Sequence, residues 1–410
     1  MEESDRIRVR WLDIVPARHN GMEMFLVRDP EGITDKSLLV SREALFLVSL
    51  MDGTMSPRDM QAAYMRASGE LIMSDRIASM VEALDAHFLL ENDRYRDRVR
   101  TLKAEYEAAP CRSACLAGSG YPGDEAGLRA FMKNLTSRAE GGRQVKDGAQ
   151  ADGVRAIIAP HIDYARGMEV YRLAYGALPK EGKTLFVIFG TCHKAAPKLW
   201  HIALRDVATP LGIVPGPGTV GRLIREDALL GAYIDEWPHR NEHSIELQLP
   251  VIQYLLGGER FEVLSILTGS LHAFMEDGMD PAGGEAADLA GRLKEILKAH
   301  DGPCVFVAGA DLAHIGAQFG DPPPLDRATL DASRRKDEKL LKPVAAADGP
   351  GFFEMVRQEG DRRRICGLAP IYFLLSMLDS CRGEVVGYDQ WTDGASSVSF
   401  AGVVFSSIRR

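Results

Sequence analysis

Three histidines directly follow apolar runs: His161 after "RAIIAP", His193 after "TLFVIFGTC" and His314 after "CVFVAGADLA", with Asp311 three residues before the last. A histidine in a strand-end loop is placed to ligate a metal or move a proton, because its neutral ring offers a lone pair and it titrates near neutrality. One such residue alone reads as a hydrogen-bonded cap. Three among only ten histidines read as a pattern.

Cys366, in "RRRICGLAPIYFLL", precedes a strongly apolar helix with Pro370 in its first turn. The positive end of that helix is expected to favour thiolate, hence nucleophilic or metal-ligand behaviour. In "WPHRNEHSIELQLPVIQ", Glu242 and His243 stand at a helix start, with Glu246 one turn past Glu242 on the same face and Asn241 or Ser244 as the expected cap. This is not the H-E-x-x-H zinc motif, whose order and spacing differ. The chain has no phosphate loop, no G-x-G-x-x-G after a strand and no G-x-S-x-G elbow. Cys111 and Cys115 share a short spacing but lack partners.

The elements that must position these residues alternate. "RAIIAP", "TLFVIFG", "FEVLSILTGS", "CVFVAGA", "EVVGYD" and "SVSFAGVVF" are apolar on both faces and read as strands. "MEVYRLAYGAL", "SIELQLPVIQYLL", "EAADLAGRLKEILKAH" and "PIYFLLSMLD" read as helices between them. That order predicts an α/β domain over residues 106–410, a mostly parallel or mixed sheet covered by helices on both faces. Such sheets bind ligands beyond the carboxyl ends of their strands, where the three histidines fall.

Residues 1–105 read differently, as three short helices, the second opening on Ser56, Pro57 and Asp59, followed by a strand pair over "LLENDRYRDRV". This predicts a small winged-helix-like module, and the charged stretch 94–112 reads as a linker helix. DNA reading is not expected, since the third helix offers only Arg76 as a basic side chain. The formal charge of -9 likewise argues against a nucleic-acid or anionic-membrane partner. No apolar run approaches the roughly 18 residues of a membrane span, and "MEESDRIRVRW" is not a secretion signal, so a cytoplasmic location is expected. The six cysteines lack the density of a disulfide framework.

Taken in order, "AGSGYP", "APHIDY", "GTCH", "NEHSIELQLP", "GADLAHIG", "CGLAPI" and "GYDQWTDGASSVSFAG" resemble the successive motifs of the Memo family, the B component of the AmmeMemoRadiSam system, over roughly residues 108 to 407. That family is similar in fold to the LigB-type class III extradiol dioxygenases. The resemblance implies a metal site, working or vestigial, at His161, His193 and Cys366. It sets His314 and Asp311 beside that site as acid/base groups and has Glu242 and His243 line the same cleft. It also implies a radical-SAM partner and an AMMECR1-like partner. The N-terminal part loosely resembles PqqD-like peptide-recognition domains, and a packing or dimerisation module is the other reading. Departures are Asp163 in "APHIDY", expected to add a carboxylate near the metal, Gly120 in place of a tryptophan, and Leu368 and Ala369 where some members carry a histidine.

Two imidazoles and a thiolate leave a coordination position open. Iron or copper is the favoured ion and zinc also fits. The expectation is a metal-dependent, dioxygenase-like redox enzyme. The alternatives are a non-catalytic component that binds a peptide or partner, and a zinc-dependent hydrolase.

Overall fold

The computed structural model describes residues 6–137, 153–178, 183–194, 197–257, 261–276 and 278–408. The chain divides into two compact units, Met1–Ala109 and Pro110–Arg410.

The first unit opens with an antiparallel sheet of Asp13–His19, Met22–Arg28 and Leu38–Val40. Four helices follow: Arg42–Ser49, Pro57–Ser68, Ser74–Ala86 and Asp93–Ala108. The Ser56–Asp59 capping box forms as expected, with Pro57 in the first turn. The strand pair expected behind the third helix does not form. Asn92 caps a helix there by accepting from the Tyr95 N–H, and Asp93–Arg96 and Asp97–Arg100 pair one turn apart along it. The sheet of this unit therefore precedes its helices and no wing follows them. Its core gathers Val27, Leu47, Met60, Ile77 and Leu84.

In the second unit, four parallel strands form the centre of an eight-stranded mixed sheet, in the order Val154–Ala159, Cys304–Gly309, Thr184–Thr191, Phe261–Thr268. Antiparallel strands flank them, with Trp200–Ala203 on one edge and Ser396–Ser407 on the other. The latter pairs in turn with His314–Gly316 and with Cys381–Thr392, so "EVVGYD" and "SVSFAGVVF" form a hairpin. Alternate residues of one strand feed two separate cores: Leu185, Val187 and Phe189 join one, Phe186 and Ile188 the other. Helices Gly284–Leu297, Arg327–Ala345 and Leu368–Ser376 close the first core. Glu125–Thr136, Tyr164–Tyr175 and Leu249–Leu256 close the second. This is the α/β sheet covered on both faces that the alternating runs predict.

The helix expected over "SIELQLPVIQYLL" is broken into His243–Glu246 and Leu249–Leu256. Pro250 has no N–H to give the Glu246 carbonyl, so the ladder stops there. Among the described residues no helix is long and apolar enough to cross a membrane.

Candidate metal centre

The carboxyl ends of the central strands bring the site together. His161 lies two residues beyond Ala159, His193 two beyond Thr191 and Asp311 two beyond Gly309. Cys304–Gly309 runs between the other two strands, so the Asp311 loop rises from the strand that separates those leading to His161 and His193.

Each histidine is fixed through one ring nitrogen. His161 Nδ1 lies 2.9 Å from the Gly309 carbonyl oxygen, which can only accept, so the proton sits on Nδ1 and Nε2 presents its lone pair. That Nε2 is 3.2 Å from Cys366 Sγ. His193 Nδ1 lies 3.0 Å from Glu242 Oε1, again an acceptor, and its Nε2 is left available. The ligand atoms of His161, His193 and Cys366 all lie within 4.8 Å of one another. A second group, His193, Glu242 and His243, meets the same limit. Its carboxylate is already committed, since Glu242 Oε1 accepts from the His243 and Ser244 backbone and Oε2 from the His193 N–H. The first group is the better fit to an ion, and Glu242 is its orienting carboxylate.

The electrostatics agree with ligand roles. His161 is buried, and burial followed by the neighbouring His193 and His243 holds it well below the usual histidine range. It is a neutral imidazole, the form that ligates. Burial alone pushes Glu242 up, but the charge and hydrogen bonds of His193 and His243 outweigh it and leave the carboxyl well below its usual range. His243 rises for the reciprocal reason: Glu242 outweighs burial. The rings of His193 and His243 stack 4.7 Å apart, and His161 meets both edge-on.

Cys366 departs from expectation. Gly367, not Cys366, caps the helix Leu368–Ser376, and burial followed by the charge of Asp311 pushes the thiol well above its usual value. The helix end does not produce a free thiolate. A cation beside Sγ would be needed to do so.

Asp311 and His314 sit apart from the ligand set in different degrees. Asp311 Oδ1 accepts the His161 backbone N–H at 3.0 Å, and Oδ2 lies 3.7 Å from His161 Nε2. Burial pushes its carboxyl up to about 7 in spite of that hydrogen bond. His314 belongs to neither group of ligand atoms. Its Nδ1 lies 3.1 Å from the Leu312 carbonyl oxygen, its ring stands edge-on to Phe319, and burial lowers it to about 4.

Two expectations are corrected. Asp163 does not join the ligands. It caps the helix Tyr164–Tyr175, accepting from the Arg166 N–H, and pairs with Arg166 Nε at 3.0 Å, while that guanidinium lies over the Trp391 ring. The cap of His243–Glu246 is Glu242 itself, not Asn241 or Ser244.

Several positioning groups escaped the sequence reading. Gln248 Nε2 donates to the carbonyls of Pro160 and Ser244, tying the His161 loop to the Glu242 helix, and the Tyr175 hydroxyl holds its other end. Thr191 Oγ1 donates to the Cys366 carbonyl at 2.8 Å. Glu246, fully buried, accepts from Arg112, from the N–H groups of Cys115 and Leu116 and from the Tyr121 hydroxyl. Of these only Glu246 was singled out by the sequence, through its spacing from Glu242, and its partners were not.

The fold and site define a mixed α/β protein with a histidine–histidine–cysteine donor set at the strand ends. The chain belongs to the Memo family, whose description as Memo-like protein matches residues 112–404. A MEMO1 family protein of Aquifex aeolicus is 25% identical over 97% of this chain and 99% of its own length. One of Thermus thermophilus, TTHA0924, is 27% identical over 80% of this chain and 92% of its own. One of Nitrosopumilus maritimus is 23% identical, with 72% of this chain spanning 99% of it.

Proposed function

We propose that this chain binds one metal ion through His161, His193 and Cys366 and serves redox chemistry with it, as the B component of a system that includes a radical-SAM protein and an AMMECR1-like protein. The observation that carries the reading is the pairing of two histidines anchored through Nδ1 with a thiol 3.2 Å from one free Nε2. Two nitrogens and a sulfur suit iron, copper or zinc and leave room for a further ligand. A bound iron or copper ion would supply one-electron chemistry that no side chain of this cluster offers. Around it, Glu242 orients His193 and His243. Asp311, pushed up to about 7, is poised to hold or release a proton near neutrality. His314, which burial lowers to about 4, stays neutral at physiological pH and offers its ring there as a hydrogen-bonding group rather than as a base.

Metal analysis of untagged protein, loaded anaerobically with iron or copper, tests this. One equivalent per chain is expected, falling below a tenth in a His161→Ala, Cys366→Ser double variant. Equal and negligible metal in both sinks the proposal. The same donors favour a zinc-dependent hydrolase as a second reading, because the thiolate–imidazole set is equally a zinc set. Turnover that persists without oxygen and with zinc alone would select it.

A further inference from the structure

A cavity of about 210 Å³ adjoins Cys366 and is lined also by Thr191, Ser270, His272, Leu368 and Ala369. At about 30 Å³ per molecule of liquid water it has the bulk of roughly seven waters, or of a short organic acid. His272 stands in a three-residue relay. Its Nε2 lies 2.9 Å from Asp361 Oδ2 and its Nδ1 2.7 Å from Ser270 Oγ. Asp361 is buried to 9% exposure and also accepts the Ile365 N–H. The hydrogen bond to Asp361 raises His272, so the ring holds its second proton more readily than a free histidine does.

The relay fixes what Ser270 can offer. Its oxygen accepts the His272 backbone N–H at 3.1 Å and, when the ring is protonated, Nδ1–H as well. The hydroxyl hydrogen then has no partner within the relay and is free to donate. The other two hydroxyls of the wall are spent: Thr191 donates to the Cys366 carbonyl and Thr268 to that of Gly190. Arg364, also on the wall, is paired with Asp321 at 2.7 Å. With the ring protonated, a polar donor thus faces a cavity whose remaining wall is largely apolar; with the ring neutral, that hydrogen goes to His272 Nδ1.

We propose that this cavity binds a small organic molecule with an oxygen-acceptor head, a carboxylate or a carbonyl, which takes the Ser270 hydrogen while an apolar body packs on Leu368 and Ala369. As a binding site it stands without any metal. As the pocket that brings a substrate beside Cys366 it rests on the metal-centre reading above.

The test uses metal-free, full-length protein and two probes of equal bulk, isobutyrate and isobutyramide, with saturation-transfer NMR. Binding of at least one is expected, weakened several-fold by Ser270→Ala and at least tenfold by Ala369→Phe, which fills the cavity. A stronger response to isobutyrate marks the head as a carboxylate and the reverse marks it as a carbonyl. No transfer to either probe, or transfer unchanged in folded Ala369→Phe, overturns the proposal. If that variant does not fold, Ser270→Ala decides, and unchanged binding there is the overturning result. Because no metal is present, such a failure leaves the metal analysis standing as a separate question.

Discussion

Glu242 accepts hydrogens from the His193 ring and from three backbone N–H groups, so a change there reaches the proposed ligand set without removing a ligand. Glu242→Gln keeps the bulk but replaces one acceptor oxygen with a donor. Metal affinity should fall about 10–100-fold, the usual effect of losing an orienting carboxylate, as read by competition with a chelator. A second prediction concerns His239, which burial holds at about 3. Between pH 6.5 and 3 the unfolded chain binds a proton that the folded one refuses. The stability this represents is complete above pH 6.5 and is lost as pH falls toward 3. At about 1.4 kcal/mol per pKa unit, the full loss is on the order of 5 kcal/mol. Urea midpoints of metal-free protein should drop between pH 7 and 5, and His239→Gln should flatten that drop. At this scale the sequence was informative where a residue followed a strand. His161, His193 and Asp311 were legible because an apolar run fixes where a strand stops. Asp163 and the thiolate character of Cys366 were misread, since a cap and a buried thiol depend on what folds against them, whereas the place of Cys366 beside His161 was legible.

The short helix His243–Glu246 reaches the strand ends only because they are bare at two points. A Cβ on Gly190 would lie 2.5 Å from an Ile245 side-chain carbon, and one on Gly309 would run into the Ser244 carbonyl. Gly309→Ala should therefore displace the helix and cost about 1–3 kcal/mol, the usual range for overpacking, with a parallel loss of metal affinity. Chemical denaturation and chelator competition on the same sample check both. If stability and affinity are unchanged, the helix is not seated as described. Elements with continuous apolar runs were readable from sequence, as "TLFVIFG" shows. The helices Arg327–Ala345 and Gly349–Glu359 were missed because their buried residues are sparse among charged ones. Asp93–Ala108 buries none of its residues. Its helicity comes from its cap and its one-turn ion pairs; the linker helix expected over 94–112 is borne out from 94 to 108, and the strand reading of "LLENDRYRDRV" is not.

Over the whole molecule, the site draws only on the second unit, and the Nitrosopumilus relative is spanned almost entirely by 72% of this chain. A fragment of residues 110–410 should fold cooperatively and take up the same one equivalent of metal as the full chain. A fragment that unfolds without cooperativity, or takes up none while the full chain does, would show that the first unit is needed for the site. The α/β class was legible at this scale because alternation of apolar runs is a long-range pattern. The order of the strands was not, because nothing in a single strand names its neighbour.

His161 and Cys366 meet across 205 residues of chain. During synthesis, then, the pair cannot form until Cys366 has emerged, and closing so long a loop carries its own entropic cost. An ion held by the proposed set would have its full complement of donors only once that loop has closed, and His193, the exposed member of the set, is the one that solvent reaches first.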